Sequence, residues 1–221
     1  MNDNSFTDEL NNLKKQSLSK TVEEQLEKMI LSGQIAPGER INESALSASL
    51  NISRAPIREA CRHMAQYGMV ENRVGKGTFV CQVDYGEAVD LYEVRGMLDA
   101  LAAEKAAVLA SDDEIEQLQQ LVMRMETLSQ NGDAPEYFAA NLDFHQTIMA
   151  ASQNKSLFNM YQVIYKKLSL FRRKNLAETE RLRASFAEHE KIFQAIKAKD
   201  PHQAALLSRQ HVEEAKKNLQ H

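Results

Sequence analysis

Residues 52–64, Ile52-Ser53-Arg54-Ala55-Pro56-Ile57-Arg58-Glu59-Ala60-Cys61-Arg62-His63-Met64, decide how the first part of the chain folds. Written as a helix, the stretch sorts into two faces. Ile57, Ala60, Cys61 and Met64 fall at i, i+3, i+4 and i+7, the spacing of a buried apolar stripe. Arg54, Arg58 and Arg62 fall at i, i+4 and i+8, one turn apart on a second face. Like charges at that spacing repel one another, so an isolated helix gains nothing from them, whereas a polyanion laid along the ridge would neutralise all of them. Ser53 suits the N-cap and Pro56 is tolerated only in a first turn, which sets the helix start near Ser53. The Ser53 hydroxyl and the first-turn amides then stand where a phosphate would bind. A basic stripe on a short helix is most often a solvated face, so the flanking sequence has to decide.

Upstream, Val22, Leu26, Met29 and Ile30 line one face of a helix that starts at Leu18 and ends at Gly33. Ala36-Pro37-Gly38-Glu39 is a turn. Asn42-Glu43 opens a short helix carrying Leu46 and Leu50, closed by Asn51. Two short helices across so tight a turn, the second one basic, predict a helix-turn-helix whose second helix reads DNA. Downstream of Tyr67-Gly68 the period changes. Met69, Val70 and Val74, then Thr78-Phe79-Val80, predict two strands around Gly75-Lys76-Gly77. A hairpin with a glycine-flanked basic tip, directly after a recognition helix, is a wing. Its glycines let the backbone approach a groove, and Lys76 supplies charge there. The expected organisation is a loose arm over residues 1–17, a winged helix-turn-helix DNA-binding domain over 18–82, and a helical domain over 83–221.

The bulk composition sets limits. The chain has 221 residues, 43% hydrophobic and 26% charged, enough for two modest domains with real cores. No apolar run approaches the roughly 18 residues of a membrane span. The polar N-terminus does not read as a signal peptide. Cys61 and Cys81 suit small buried hydrophobes in a reducing compartment, so a cytoplasmic protein is expected. Net charge is −4, which excludes a globally basic nucleic-acid binder. Any DNA contact is therefore local. Between Ser53 and Lys76 the charges are Arg54, Arg58, Arg62, Arg73 and Lys76 against only Glu59 and Glu71.

Beyond residue 86 the pattern is helical throughout, in segments near 86–110, 112–130, 134–152, 155–175, 177–198 and 200–219. This predicts an all-α antiparallel bundle, and a mainly α chain. Its informative residues are polar ones on apolar faces. Phe138, Leu142, His145 and Met149 share a face, with Asn141 one turn before His145. Leu182, Phe186, His189, Phe193 and Ile196 share another. Leu207 and His211 stack one turn apart, with Val212, Ala215 and Leu219 marking the core side and His211 at its edge. A lone inward histidine is usually a satisfied core residue. Three from separate helices, with an Asn one turn before one of them, form a candidate site for a divalent ion such as Zn or Ni, or Mn. Spacing alone leaves core packing and metal binding equally open, because it does not show that the helices converge. Arg95 lies beside the apolar line of Leu91, Val94, Leu98 and Leu101, with Asp99 one turn on as its simplest partner. His63, His202 and His221 read as surface residues.

Three stretches, Leu31-Ser32-Gly33-Gln34-Ile35-Ala36-Pro37-Gly38-Glu39-Arg40, Ser53-Arg54-Ala55-Pro56-Ile57-Arg58-Glu59-Ala60 and Gly75-Lys76-Gly77-Thr78-Phe79-Val80, resemble the signature of the GntR family of bacterial transcription regulators. The resemblance implies that Arg54 and Arg58 contact DNA and that Gly75 enters the minor groove. Ser44 stands where some members carry an arginine. Asn141-Leu142-Asp143-Phe144-His145, Ser185-Phe186-Ala187-Glu188-His189 and Arg209-Gln210-His211 resemble the FCD effector domain of the FadR-like branch. That implies a metal held by three histidines and a carboxylate four residues before the first. Here the carboxylate is replaced by Asn141, a neutral oxygen that weakens the site. It also implies that Arg95 grips an effector's carboxylate as a planar fork, with Tyr92 and Ser185 lining the pocket. The implied protein is a non-enzymatic homodimer that binds a double-stranded operator under control of a small organic acid. Two other readings stand beside it: a sensor of the ion itself, and a metal-dependent hydrolase tethered to a winged module. For the hydrolase, Asp143 and Glu188 are the nearest candidate bases, and both sit on helix faces different from their neighbouring histidines.

Overall fold

Helix α1 (Asp3–Ser32) begins at Asp3 rather than near Leu18. The expected loose arm lacks apolar periodicity, but no Pro or Gly interrupts it, so the helical backbone continues upstream. The computed structural model describes residues 3–171 and 179–219. The chain divides into two compact units, residues 1–83 with 166–173, and 84–165 with 174–221.

In the first unit α1 buries Val22, Leu26 and Ile30, and Gly33 takes the left-handed position that ends it, at φ +88°. Helix α2 (Glu43–Leu50) is capped by Asn42, whose side chain accepts from the Ala45 N–H, and closed by Asn51 at φ 51°. Eight residues are too few to bury a full face: Leu46 is only partly buried and Leu50 is exposed. Helix α3 (Arg54–Gln66) buries Pro56, Ile57, Ala60, Cys61 and Met64. These meet the α1 stripe, Ile35, Ile41, Met69, Val70 and Val80 in one core. Strands β1 (Val70–Arg73) and β2 (Gly77–Val80) pair antiparallel, Val70 opposite Val80 and Arg73 opposite Gly77. Val74 is not a strand residue; it sits fully exposed at the hairpin tip, where the turn takes it out of register. The turn before α2 runs along β2, with Gly38 N–H to Val80 O, Val80 N–H to Glu39 O and Ile41 N–H to Thr78 O, all 2.9 Å. That edge pairing braces the wing from outside. Both cysteines are free; Cys61 is buried, while Cys81 is only half-buried.

Helices build the second unit: α4 (Tyr85–Leu109), α5 (Asp112–Asn131), α6 (Ala134–Ala151), α7 (Lys155–Phe171, whose residues from 166 on belong to the first unit), α8 (Thr179–Lys197) and α9 (Pro201–Lys217). Local chemistry fixes the ends. Asp84, Asp133 and Asp200 each cap a helix N-terminus through the side chain. Ser111 and Glu114 form a reciprocal capping box, and Gly132 ends α5 at φ 72°. Residues 172–178, where the fourth bundle segment was expected to end and the fifth to begin, and His221 lie outside the described residues. Around Tyr137, Phe144, Leu118, Met125 and Tyr161 the helices close a second core.

Helix α4 departs from its apolar spacing. Its buried face is Ala88, Tyr92, Arg95, Gly96, Asp99, Ala102, Ala103, Ala106 and Ala107, whereas Val94 and Leu101 are exposed. Small residues let α4 and α9 approach closely, and Gly96 lies on that seam. A Cβ on Gly96 would sit 3.7 Å from Val212 Cγ1, an ordinary contact. Gly96→Ala is therefore expected to stabilise the protein by up to about 1 kcal/mol through helix propensity, measurable by urea unfolding. The chain is thus mainly α, a winged helix-turn-helix followed by a helical bundle. Among the described residues, no helix is long and apolar enough to cross a membrane.

Candidate functional site

On the face of α3 opposite its core stripe, Arg54, Arg58 and Arg62 are all exposed. Arg58 Nε donates to Glu43 Oε2 on α2 at 2.8 Å, and Arg62 pairs with Glu59 at 3.0 Å. Surface pairs of this kind are worth about 0–1 kcal/mol and exchange readily for phosphate. Ser53 occupies the N-cap position with extended backbone, but the expected side-chain capping bond is not made. Its hydroxyl stays at the helix mouth.

The wing carries Gly75 and Lys76 at its exposed tip. Gly75 has φ +69°, and nothing of the chain lies within 4 Å of where its Cβ would be. Gly75→Ala should then lower stability by about 1 kcal/mol from backbone strain alone. Gly75→Asn, which tolerates that conformation, should recover the stability yet still bind operator more weakly, because its side chain occupies the open space at the tip. Chemical denaturation beside a gel shift separates the two effects. Arg40, not singled out from sequence, bridges to Phe79, and its Nε would lie 3.0 Å from a Cβ on Gly77. Only the pairing of residues 38–41 along β2 brings this charge beside the wing.

The second unit gathers the three histidines. His145 on α6, His189 on α8 and His211 on α9 are buried, and their ligand atoms all lie within 4.8 Å of one another. His211 is inside the core rather than at its edge. His145 Nε2 faces His189 Nε2 at 3.1 Å. The other ring nitrogens reveal the tautomers. His189 Nδ1 lies 2.6 Å from the Ser185 carbonyl oxygen, which only accepts, so Nδ1 carries the proton and Nε2 the lone pair. His211 Nδ1 lies 2.6 Å from Glu188 Oε2, with the same consequence. Burial pushes His189 well below the usual imidazole range, helped by His211. Burial also pushes His211 down, against the hydrogen bond that it donates to Glu188. Both shifts favour the neutral ring, the form that metal ligation requires. Burial would raise Glu188, but hydrogen bonds from His211 and Arg181 hold it at about 2.

Asn141 Oδ1, one turn before His145, is a buried acceptor with no hydrogen-bond partner. Buried carbonyl oxygens are normally satisfied, so this orphan lone pair fits the fourth donor of a cation site. Neutral imidazole nitrogens and one amide oxygen suit a divalent ion. Phe144 walls the cluster, its ring 5.2 Å from that of His189 and 5.8 Å from that of His145.

Arg95 is buried, and its Nε donates to Asp99 Oδ2 at 3.1 Å, so the simple ion pair is formed. Burial alone would lower the guanidinium pKa, but Asp99 and the surrounding tyrosines raise it above its ordinary value. Its carbon sits 5.8 Å from the centre of the buried Tyr92 ring. The positive charge of Arg95 also contributes to lowering His189 and His211, which puts it in their neighbourhood. Ser185 acts on His189 through its backbone, its hydroxyl being 3.4 Å away. Asp143 is exposed. Sequence reasoning set Glu188 aside because it neighbours His189 on another face; His211 comes from α9 to meet it there.

Residues 18–80 match the family of bacterial regulatory proteins named gntR, and residues 90–214 match the FCD domain. A Bacillus subtilis protein described as the uncharacterized HTH-type transcriptional regulator YdhC is 31% identical over 189 residues, covering 85% of this chain and 83% of that protein. The Nta operon transcriptional regulator of Aminobacter aminovorans is 32% identical over 144 residues, 65% of this chain and 68% of that one. In fold, the chain is similar to E. coli McbR/YncC, with a TM-score of 0.78 at 20% identity over 90% of this chain and 94% of the other. The exposed arginine ridge, the braced wing and the histidine-bearing bundle thus sit in a chain that belongs to the GntR family of bacterial regulatory proteins, a DNA-binding transcriptional regulator with an FCD domain.

Proposed function

We propose that this regulator works as a cytoplasmic homodimer whose operator affinity is set by a small organic acid bound beside a divalent metal in the helical unit. Arg54, Arg58 and Arg62 read the major groove and phosphates, with Ser53 at the helix mouth and Gly75 and Lys76 reaching the neighbouring groove. Two such units address half-sites about one DNA turn apart. Exposed Val94, Met97, Leu101 and Val108 on α4 support a dimer formed through the bundle. His145, His189, His211 and Asn141 hold the ion, with Zn or Ni best matched and Mn possible for the donor set. A bound ion would supply positive charge for the acid's carboxylate, next to the Arg95 fork and near Tyr92 and Ser185. Effector control of this kind carries about 1–3 kcal/mol of coupling.

The observation that carries the reading is the pair of imidazoles whose protons are tied outward, to Ser185 O and Glu188 Oε2, leaving Nε2 lone pairs turned inward. The hydrolase reading loses its base: the Glu188 carboxylate is taken up by Arg181 and His211, and Asp143 is exposed. Metal analysis of the purified protein tests the site, followed by gel shifts with and without chelator and then with candidate carboxylates and sugar acids. A response to chelator alone would make the ion the signal. No metal uptake and no response to any acid would remove the control site from the account.

A further inference from the structure

The donor atoms of the histidine cluster are only as useful as the proton positions that expose them. On His189 that position is set by its own helix, through the carbonyl of Ser185. On His211 it is set by another element. Glu188 reaches from α8 to α9 and accepts the His211 Nδ1–H at 2.6 Å. Arg181, two turns upstream on α8, grips the same carboxylate with both arms, Nη1 to Oε1 at 2.8 Å and Nη2 to Oε2 at 3.3 Å. Oε2 is thus shared between the guanidinium and the imidazole. A carboxylate held on both oxygens does not rotate, and an anion at Nδ1 admits only a ring nitrogen that carries hydrogen.

We propose that Glu188, fixed by Arg181, is a positioning residue that locks His211 as the Nδ1–H tautomer and turns its Nε2 lone pair into the cluster of His145 and His189. The inference rests on the metal reading above and adds the residue that makes His211 a competent donor. Carboxylate partners behind metal-binding histidines orient the ring and raise its basicity, and their loss typically lowers metal affinity about 10–100-fold.

The test uses full-length protein, with Zn2+ affinity measured by competition against a chromogenic chelator and ring tautomers read from 15N-resolved NMR of the metal-free protein. Wild type should show His211 protonated on Nδ1. Glu188→Ala should lose that signature and bind Zn2+ about 10–100-fold more weakly. Glu188→Gln keeps an oxygen acceptor and should restore the tautomer and most of the affinity. A wild-type His211 protonated on Nε2 overturns the proposal, and that reading needs no variant to fold. Glu188→Ala with unchanged Zn2+ affinity and tautomer overturns the positioning role alone. Wild type that takes up none of Zn2+, Ni2+ or Mn2+ overturns the metal reading and the proposal with it.

Discussion

Arg58→Ala is expected to remove operator binding at protein concentrations where the wild type saturates the site, with the fold intact. The arginine side chain is 58% exposed and pairs with Glu43 at the surface, so its truncation should change stability by no more than about 1 kcal/mol. In the proposed operator complex, its place in the middle of the ridge would set it opposite the groove floor. A bidentate arginine–base contact is worth about 1–3 kcal/mol of discrimination, and a homodimer presents it in both half-sites. Arg58→Lys separates the terms: it keeps the charge and loses the fork, so binding to a scrambled duplex should persist while preference for operator falls. Gel shifts on both duplexes, beside a thermal melt, make the measurement. An Arg58→Ala protein that binds operator like wild type would place the reading face elsewhere.

His189→Ala should erase the metal response. The ring is fully buried, and its Nε2 lies 3.1 Å from that of His145, so it supplies a donor at the centre of the cluster. Loss of a direct ligand should exceed the 10–100-fold typical of an outer partner. The readout is thermal stability against added Zn2+. A ligand at about 100 times its dissociation constant stabilises by about 2.7 kcal/mol, and in the variant that gain should vanish. His202, exposed at the start of α9, supplies the control: His202→Ala should respond to Zn2+ like wild type. If His189→Ala retains the full stabilisation, the ion is held somewhere other than this cluster.

The residues that were legible in advance share one property, that their signal is local. The stripe of Ile57, Ala60, Cys61 and Met64 spans about two helical turns, and its burial follows from spacing alone. The cap at Asn42 forms with a neighbour three residues away. Where the periodic reading failed, packing overrode it. Helix α4 turns alanines and Gly96 inward because a close helix seam needs small side chains, which leaves Val94 and Leu101 outside.

The sequence by itself therefore determined the elements, their order, the basic ridge and the glycine-tipped hairpin, because helix, turn and cap preferences act over a few residues. It also named His145 and His189 as inward-facing, and placed His211 at the edge of its helix's core side, whereas packing buries it. Only the tertiary structure brought those three imidazoles within 4.8 Å, set Glu188 against His211 and laid Arg40 beside the wing. Each of those contacts joins elements that are separate in the chain, and their meeting depends on how whole helices and strands pack, which no local spacing encodes.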